Sequence, residues 1–231
     1  MINKNTKKQV TLLIGSPKKK NSASAALGTY LCNRLDPKQF DYQVLHLRSL
    51  LVEKEQKKND KWLERVFKSD IIVFSSPLYV DCLPSYVFKA FEMICQDRRK
   101  NAKPKPTSFL AIVNSGFPES TQNKTALDIC YHFASESKME WLGGFPLGGG
   151  SFLGQRDLRK MGWIVRNIRK SLDLAATAIN YGEKIPKDAF QLIQKPVFGT
   201  KLYCWMGNFG FKHRAKQNGV MQQLYNRPYQ K

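Results

Sequence analysis

Five short segments of strand type constrain the fold more than any other feature of this sequence. Most are apolar runs rich in valine, isoleucine, leucine and phenylalanine, as in strands that are buried on both faces. Segments with apolar residues three or four positions apart, a pattern typical of amphipathic helices, separate them. The five segments are Val10–Ile14, Tyr42–Leu47, Ile71–Phe74, Phe109–Val113 and Met139–Leu142.

The alternation of strand and helix patterns predicts an α/β fold. Strands joined by helices form right-handed crossovers, and this connection makes the strands of one sheet mainly parallel. We therefore expect a three-layer sandwich with a five-stranded parallel sheet. In the strand order 2-1-3-4-5, the first, third and fourth strands would end side by side.

A longer apolar stripe follows the fifth segment and predicts one helix of about 25 residues. The stripe comprises Leu158, Met161, Val165, Ile168, Leu172, Ala175 and Ile179. The chain beyond it is aromatic, basic and rich in glycine. We expect residues 1–185 to form one domain, and residues 186–231 to form an extension packed on that domain or on a partner subunit.

The net charge of +20, from 38 basic and 18 acidic side chains, allows binding to nucleic acid, acidic membranes or phosphorylated small molecules. No apolar run approaches the roughly 20 residues that a membrane helix needs. The apolar run after the basic start, Val10–Ile14, is also too short for the core of a signal peptide. We expect a cytoplasmic protein that does not associate with membranes.

The 5 cysteines are widely spaced and include no CxxC pair, so we expect reduced thiols and no metal site. The 3 histidines are isolated, and the sequence contains neither HExxH nor GxSxG. No catalytic side chain is therefore predicted.

The loops after three strand segments could bind a ligand, because open α/β sheets bind ligands beyond the carboxyl ends of their strands. The first loop, residues 15–23, combines hydroxyls, lysines and the start of a helix, and these features suit a phosphate. An ordinary turn with a serine cap would explain it equally well. Neither GxGxxG nor GxxxxGK[ST] follows the strand, so the usual dinucleotide and P-loop motifs are excluded.

The second loop, residues 75–80, is largely apolar, and its backbone could face the polar edge of a flat ring. The third loop, residues 114–117, offers an amide, a hydroxyl and a close backbone approach at Gly116. Each could also be a simple turn. Together the three loops predict a phosphate cradle beside a flat slot, which matches FMN better than a dinucleotide.

At these residues the sequence resembles the flavodoxin-like NAD(P)H-dependent FMN reductases, a family that includes quinone and azo reductases. Gly15–Lys18, followed by Asn21 and Ser22, is similar to the phosphate loop of that family. Ser75–Tyr79, followed by Lys89–Phe91, is similar to its second motif. The iron–sulfur branch of the family carries a compact cysteine cluster, which is absent here.

The resemblance implies a flavodoxin-like fold and FMN bound by three sets of residues. Those expected to hold the phosphate are Ser16, Lys18, Asn21, Ser22 and Ala23. Those expected to line the ring and the ribityl chain are Pro77, Leu78, Tyr79 and Val80. Those expected to flank the polar edge of the ring are Asn114, Ser115, Gly116 and Phe117.

The resemblance also implies a homodimeric oxidoreductase that takes hydride from NADPH or NADH. Its electrons would pass to a small-molecule acceptor such as a quinone, an azo or nitro compound, or a flavin. Two alternatives remain open. One is a flavodoxin-like electron carrier without NAD(P)H activity of its own. The other, less favoured, is a nucleic-acid-binding module that uses the basic tail and residues 98–105.

Overall fold

The computed structural model describes residues 7–52, 60–227 and 229. Their centre is a five-stranded sheet in the order β2-β1-β3-β4-β5, and every neighbouring pair is parallel. The strands are β1 (Lys8–Ile14), β2 (Phe40–His46), β3 (Ile71–Pro77), β4 (Ser108–Asn114) and β5 (Glu140–Leu147). The predicted α/β class and strand order are confirmed. The strands lie at the predicted segments, but β5 extends to Leu147, beyond the predicted end at Leu142.

Helices cover both faces of the sheet. They are α1 (Ala23–Cys32), α2 (Leu47–Leu51), α3 (Asp60–Phe67), α4 (Ser85–Lys100), α5 (Lys124–Glu136), α6 (Arg166–Tyr181) and α7 (Lys187–Gln194), and a further helix, α8 (Thr200–Gln217), follows them. Successive side chains of a strand point to opposite faces of the sheet, so one strand contributes residues to both hydrophobic cores. In β1, Leu12 belongs to the core that includes residues of α1, α6 and α7, whereas Leu13 belongs to the core that includes residues of α3, α4 and α5.

The prediction of one 25-residue helix after β5 is wrong. The first part of the stripe forms two short 3₁₀ turns, Leu158–Lys160 and Gly162–Val165, and the α-helix begins only at Arg166. Gly162 begins the second turn with a φ of +65°, a left-handed conformation that glycine adopts at little cost. Leu158 and Val165 are still fully buried, so the stripe marks core positions although the backbone there is not one helix.

Two compact units divide the chain, Met1–Val197 and Phe198–Lys231. Helix α7 lies in the first unit, where Ala189 and Ile193 join the core beneath α6. The second unit contains α8, in which the rings of Trp205 and Phe209 stack with centroids 6.1 Å apart. None of the helices in the described part of the chain is long and apolar enough to cross a membrane.

Candidate functional site

The loops that follow β1, β3 and β4 meet in one cleft of about 190 Å³. Parallel pairing sets Ile14 beside Ser75 and Pro77 beside Asn114, so the three strands end at the same edge of the sheet. The residues that line the cleft are Ser16, Lys18, Asn21, Ser22, Ala23, Ser24, Pro77, Leu78, Tyr79, Asn114, Ser115, Gly116, Gly150, Ser151 and Gly154. They include eleven of the thirteen residues expected to bind the cofactor; the other two are Val80 and Phe117.

The first loop shapes one end of the cleft around the start of α1. Ser22 is the N-cap of this helix, and its Oγ accepts a hydrogen bond of 3.1 Å from the Ala25 N–H. The same hydroxyl donates to the Lys19 carbonyl at 2.7 Å, which fixes the loop against the helix. Helix geometry leaves the N–H groups of Ala23 and Ser24 without acceptors inside the helix. These donors are suited to an anion in the cleft.

Gly15 allows the first loop to lie directly against the end of β3. A Cβ atom at this position would be 2.6 Å from the Ser76 Oγ, a distance that real side chains do not tolerate. The Gly15 carbonyl accepts a 2.9 Å hydrogen bond from the Tyr86 hydroxyl. Burial, reinforced by neighbouring Tyr79, raises the pKa of Tyr86 to about 12, so this donor keeps its proton. Tyr86 thus supports the loop from beneath.

The second loop continues from β3 into a tight turn. The N–H of Leu78 donates to the Asn114 carbonyl at 2.9 Å, which ties this loop to β4. Tyr79 and Cys82 exchange two backbone hydrogen bonds of 2.8 and 3.1 Å across Val80 and Asp81. Both residues of the turn have positive φ, 47° and 59°. The Val80 side chain is 94% exposed and projects into solvent outside the cleft.

The third loop presents an oriented amide. The Ser24 hydroxyl donates a 2.8 Å hydrogen bond to Oδ1 of Asn114, and both side chains are buried. Because Oδ1 is the acceptor, the Nδ2 group of Asn114 can donate to a ligand. The Phe117 carbonyl accepts from the Gly149 N–H, and its side chain is half-exposed outside the cleft.

The segment after β5 closes the cleft with residues that were not among the expected thirteen. Its Gly150 N–H donates to the Ser115 carbonyl at 2.7 Å. A Cβ on Gly150 would lie 3.0 Å from the Asn114 side chain, and a Cβ on Gly116 would lie 3.1 Å from the Ser151 Oγ. The sequence signal for this wall is the cluster of glycines between residues 143 and 154.

The electrostatics of the cleft favour an anion at the α1 end. Lys18 is the one charged residue among the described residues that line it. The partial positive charge at a helix N-terminus adds about 0.3–2 kcal/mol for an anion placed there. A phosphate at this end and a flat polar ring against the backbone of the second and third loops fit this donor set, so the cleft suits FMN.

The basic segment 98–105, considered as a nucleic-acid contact, is partly internal. Helix α4 extends to Lys100, and the Arg98 side chain is buried with its guanidinium donating to the carbonyls of Ser137 and Lys105. Burial lowers the pKa of Arg98 from its usual value. This arginine therefore holds the end of α4 to the neighbouring loops and does not face an external ligand.

The sequence matches the family model described as NADPH-dependent FMN reductase over residues 9–139, more than half of the chain. This match confirms the resemblance on which the expected cofactor rests. No curated protein matches the sequence.

Solved structures of low sequence identity share the fold. The Trp repressor binding protein from Bacillus subtilis is 12% identical, with a TM-score of 0.51 over 71% of this chain and 95% of that one. An FMN-dependent NADH-azoreductase from Bacillus anthracis, solved with FMN, is 12% identical, with a TM-score of 0.51 over 74% and 99%. An NADH:FMN oxidoreductase in its apo form is 14% identical, with a TM-score of 0.53 over 79% and 93%.

Proposed function

Because this chain belongs to the NADPH-dependent FMN reductase family, and is an oxidoreductase that uses FMN and NAD(P)H, we propose that it reduces a small organic acceptor. The acceptor classes are quinones, azo or nitro compounds, and free flavin. When bound, FMN would supply the redox chemistry, which is hydride transfer from the nicotinamide and electron transfer to the acceptor. The chain binds and orients the reactants, and we assign no side chain as a general acid or base.

The phosphate of FMN is proposed to lie at the start of α1. The free N–H groups of the first helical turn and the hydroxyl of Ser16 would donate to its oxygens. Lys18 would add a flexible positive charge in place of the arginine usual in the family. Gly15 and Tyr86 would hold this loop against the end of β3, through the close contact with Ser76 and the hydrogen bond from the Tyr86 hydroxyl.

The isoalloxazine ring is proposed to lie between the second and third loops. The backbone of Pro77, Leu78 and Tyr79 would face the ring, and the Nδ2 of Asn114 would donate to one of its polar atoms. Ser24 orients that amide through its 2.8 Å hydrogen bond. The observation that most supports this proposal is the convergence of residues from three separate loops on one cleft.

The first test is retention of FMN. Purified protein incubated with FMN and desalted should keep flavin absorbance near ~375 and ~450 nm. Lys18→Gln should weaken FMN binding about tenfold, since a hydrogen bond to a charged group contributes roughly 1.5 kcal/mol or more. Lys184→Gln removes an equal charge from an exposed position away from the cleft and should leave the affinity unchanged.

Turnover tests the activity itself. NADPH and NADH oxidation should be followed with a soluble quinone, a sulfonated azo dye, a nitroaromatic compound and free FMN as acceptors. Multiple turnovers with at least one acceptor would support the reductase. A protein that keeps FMN but oxidises neither nucleotide would instead be an electron carrier.

We also propose a homodimer, in which the extension at residues 186–231 packs on the domain or on the partner subunit. Support comes from the family resemblance, because its members commonly dimerise across the flavin face. Light scattering should give twice the chain mass of 26.5 kDa. A chain ending at Val197 should keep its flavin domain folded, because residues 1–197 form a compact unit. If this truncation neither lowers the mass to one chain nor changes turnover, the extension has no role in assembly or activity.

A further inference from the structure

A second and larger cavity, of about 400 Å³, lies on the other side of the α1 N-terminus. This volume is in the range of sites that hold small molecules. The residues that line it are Lys20, Ala25, Ala26, Thr29, Tyr30, Asn33, Arg34, Val44, His46, Gln155, Arg156, Asp157 and Arg159. None of them lines the flavin cleft, although Lys20 and Asn21 are chain neighbours that line different cavities.

The position of this cavity in the fold is typical of nucleotide recognition. His46 is the last residue of β2, and Ala25 and Ala26 lie in the first turn of α1. In parallel α/β sheets that bind dinucleotides, the sugar of one nucleoside lies at this end of β2, next to the phosphate loop. The proposed FMN occupies the β3 and β4 side of that loop, so it leaves the β2 side available.

The lining contains more basic than acidic side chains. Four of its residues are lysine or arginine, and one, Asp157, is acidic. Two of the arginines are held in place. Arg34 bonds to Asp173 at 3.0 Å and to the Tyr30 hydroxyl, and Arg159 bonds to Asp157 at 2.7 Å. Guanidinium groups positioned in this way are suited to the oxygens of a phosphate.

One wall is apolar, and one polar atom lacks a partner. Ala25, Ala26 and Val44 offer a surface for a flat base. His46 has a buried Nδ1 with no hydrogen-bond partner within the described part of the chain. Burial, with the charges of Lys19 and Lys20, lowers the pKa of His46.

We propose that this cavity is a nucleotide site that takes a phosphorylated nucleoside. The phosphate faces the arginines, the sugar lies beside His46 at the end of β2, and the base lies on the wall formed by α1 and Val44. Two sources share this chemistry, the adenosine-phosphate half of NADPH and a free nucleotide. The site is separate from the flavin cleft, and its occupation does not require turnover.

The test is direct binding of 2′,5′-ADP to full-length FMN-loaded protein by calorimetry, with no reductant present. Arg159→Gln should weaken binding roughly tenfold, because it removes a charged hydrogen bond to phosphate. Thr29→Phe should have a larger effect and abolish binding, because the phenyl ring would fill the apolar half of the cavity. Arg65→Gln, an exposed arginine on α3 outside the cavity, is the matched control and should bind like the unmodified chain. Circular dichroism checks that each variant is folded.

Competition separates the two sources. If 2′,5′-ADP competes with NADPH, and Arg159→Gln raises KM for NADPH without lowering kcat, the occupant is the adenosine half of NADPH. If 2′,5′-ADP binds without competing with NADPH, the occupant is a free nucleotide. Absence of binding at millimolar concentration overturns the proposal. The proposal is also overturned if inorganic tripolyphosphate binds as tightly as 2′,5′-ADP, or if Arg65→Gln weakens binding as much as Arg159→Gln does. In either case, charge alone would explain the affinity. A chain that fails as a reductase but binds 2′,5′-ADP would refute only the proposed function.

Discussion

Val80→Gly should stabilise the protein, although it removes a side chain beside the proposed flavin cleft. Val80 has a φ of 47°, in the left-handed region, where a residue with a Cβ is strained by about 1–2 kcal/mol. Its side chain is 94% exposed, so truncation loses almost no buried apolar surface. Glycine adds about 0.5–1 kcal/mol of conformational entropy to the unfolded chain, which opposes the gain. The net expectation is a stabilisation of about 0.5–1 kcal/mol.

Urea unfolding followed by circular dichroism measures this difference. Val52→Gly is the matched control, because Val52 is also exposed but has an ordinary φ of −113°. With no strain to release, it should destabilise the protein by about 0.5–1 kcal/mol. If both substitutions destabilise equally, Val80 is not strained in solution and the reasoning fails.

FMN affinity of the same two variants addresses a separate question. The family resemblance implies that Val80 lines the ring, whereas its side chain lies outside the cleft. A weaker FMN complex in Val80→Gly alone would show that the turn closes on the cofactor when it binds. If Val80→Gly and Val52→Gly bind FMN equally well, the Val80 side chain does not contact the cofactor and affects only the backbone conformation of the turn.

Three further predictions follow from individual contacts. Gly15→Ala should abolish FMN retention or unfold the flavin domain, because the added Cβ would lie 2.6 Å from the Ser76 Oγ. Gly199→Ala is the control: nothing lies within 4 Å of the added atom, so FMN retention and stability should not change. Burial lowers the pKa of His46 in the folded chain, so the unfolded chain binds the proton first and the free energy of unfolding falls as the pH drops through 6.5. His46→Gln should therefore make the free energy of unfolding less dependent on pH below 6.5. Burial raises the pKa of Cys32 to about 12, so a thiol reagent should modify exposed Cys204 well before Cys32; equal labelling rates in mass spectrometry would contradict this order.

The local hydrophobic pattern was enough to predict the sheet. Parallel strands that are buried on both faces consist of short apolar runs, and these can be recognised without knowing their tertiary contacts. The pattern also located the three loops that converge on one cleft, since the order of strands brings their carboxyl ends together. Residues as distant as Ser24 and Asn114 therefore meet at 2.8 Å in the cleft. The sheet and its loops follow from periodicity, turn chemistry and the handedness of crossovers, whereas the strand order follows from the resemblance to the flavodoxin-like family.

Periodicity failed where backbone geometry and burial depend on distant partners. The stripe from Leu158 to Val165 marks core positions, but Gly162 breaks the helix that the spacing predicts. Arg98 belongs to a basic run in the sequence, yet carbonyls from other segments surround it in the interior. A charge pattern cannot show which of its members is buried, because the acceptors that make burial possible come from elsewhere in the chain.

The sequence by itself determined the fold class and the positions of the three loops that follow β1, β3 and β4, and the family resemblance added the strand order. Tertiary structure alone decided that the glycine-rich segment after β5 closes this cleft, and that residues 155–159 form a basic cavity with α1 and β2. The reason is physical. Strands and turns follow from contacts between residues near in sequence, whereas a cavity wall is set by the packing of segments more than a hundred residues apart.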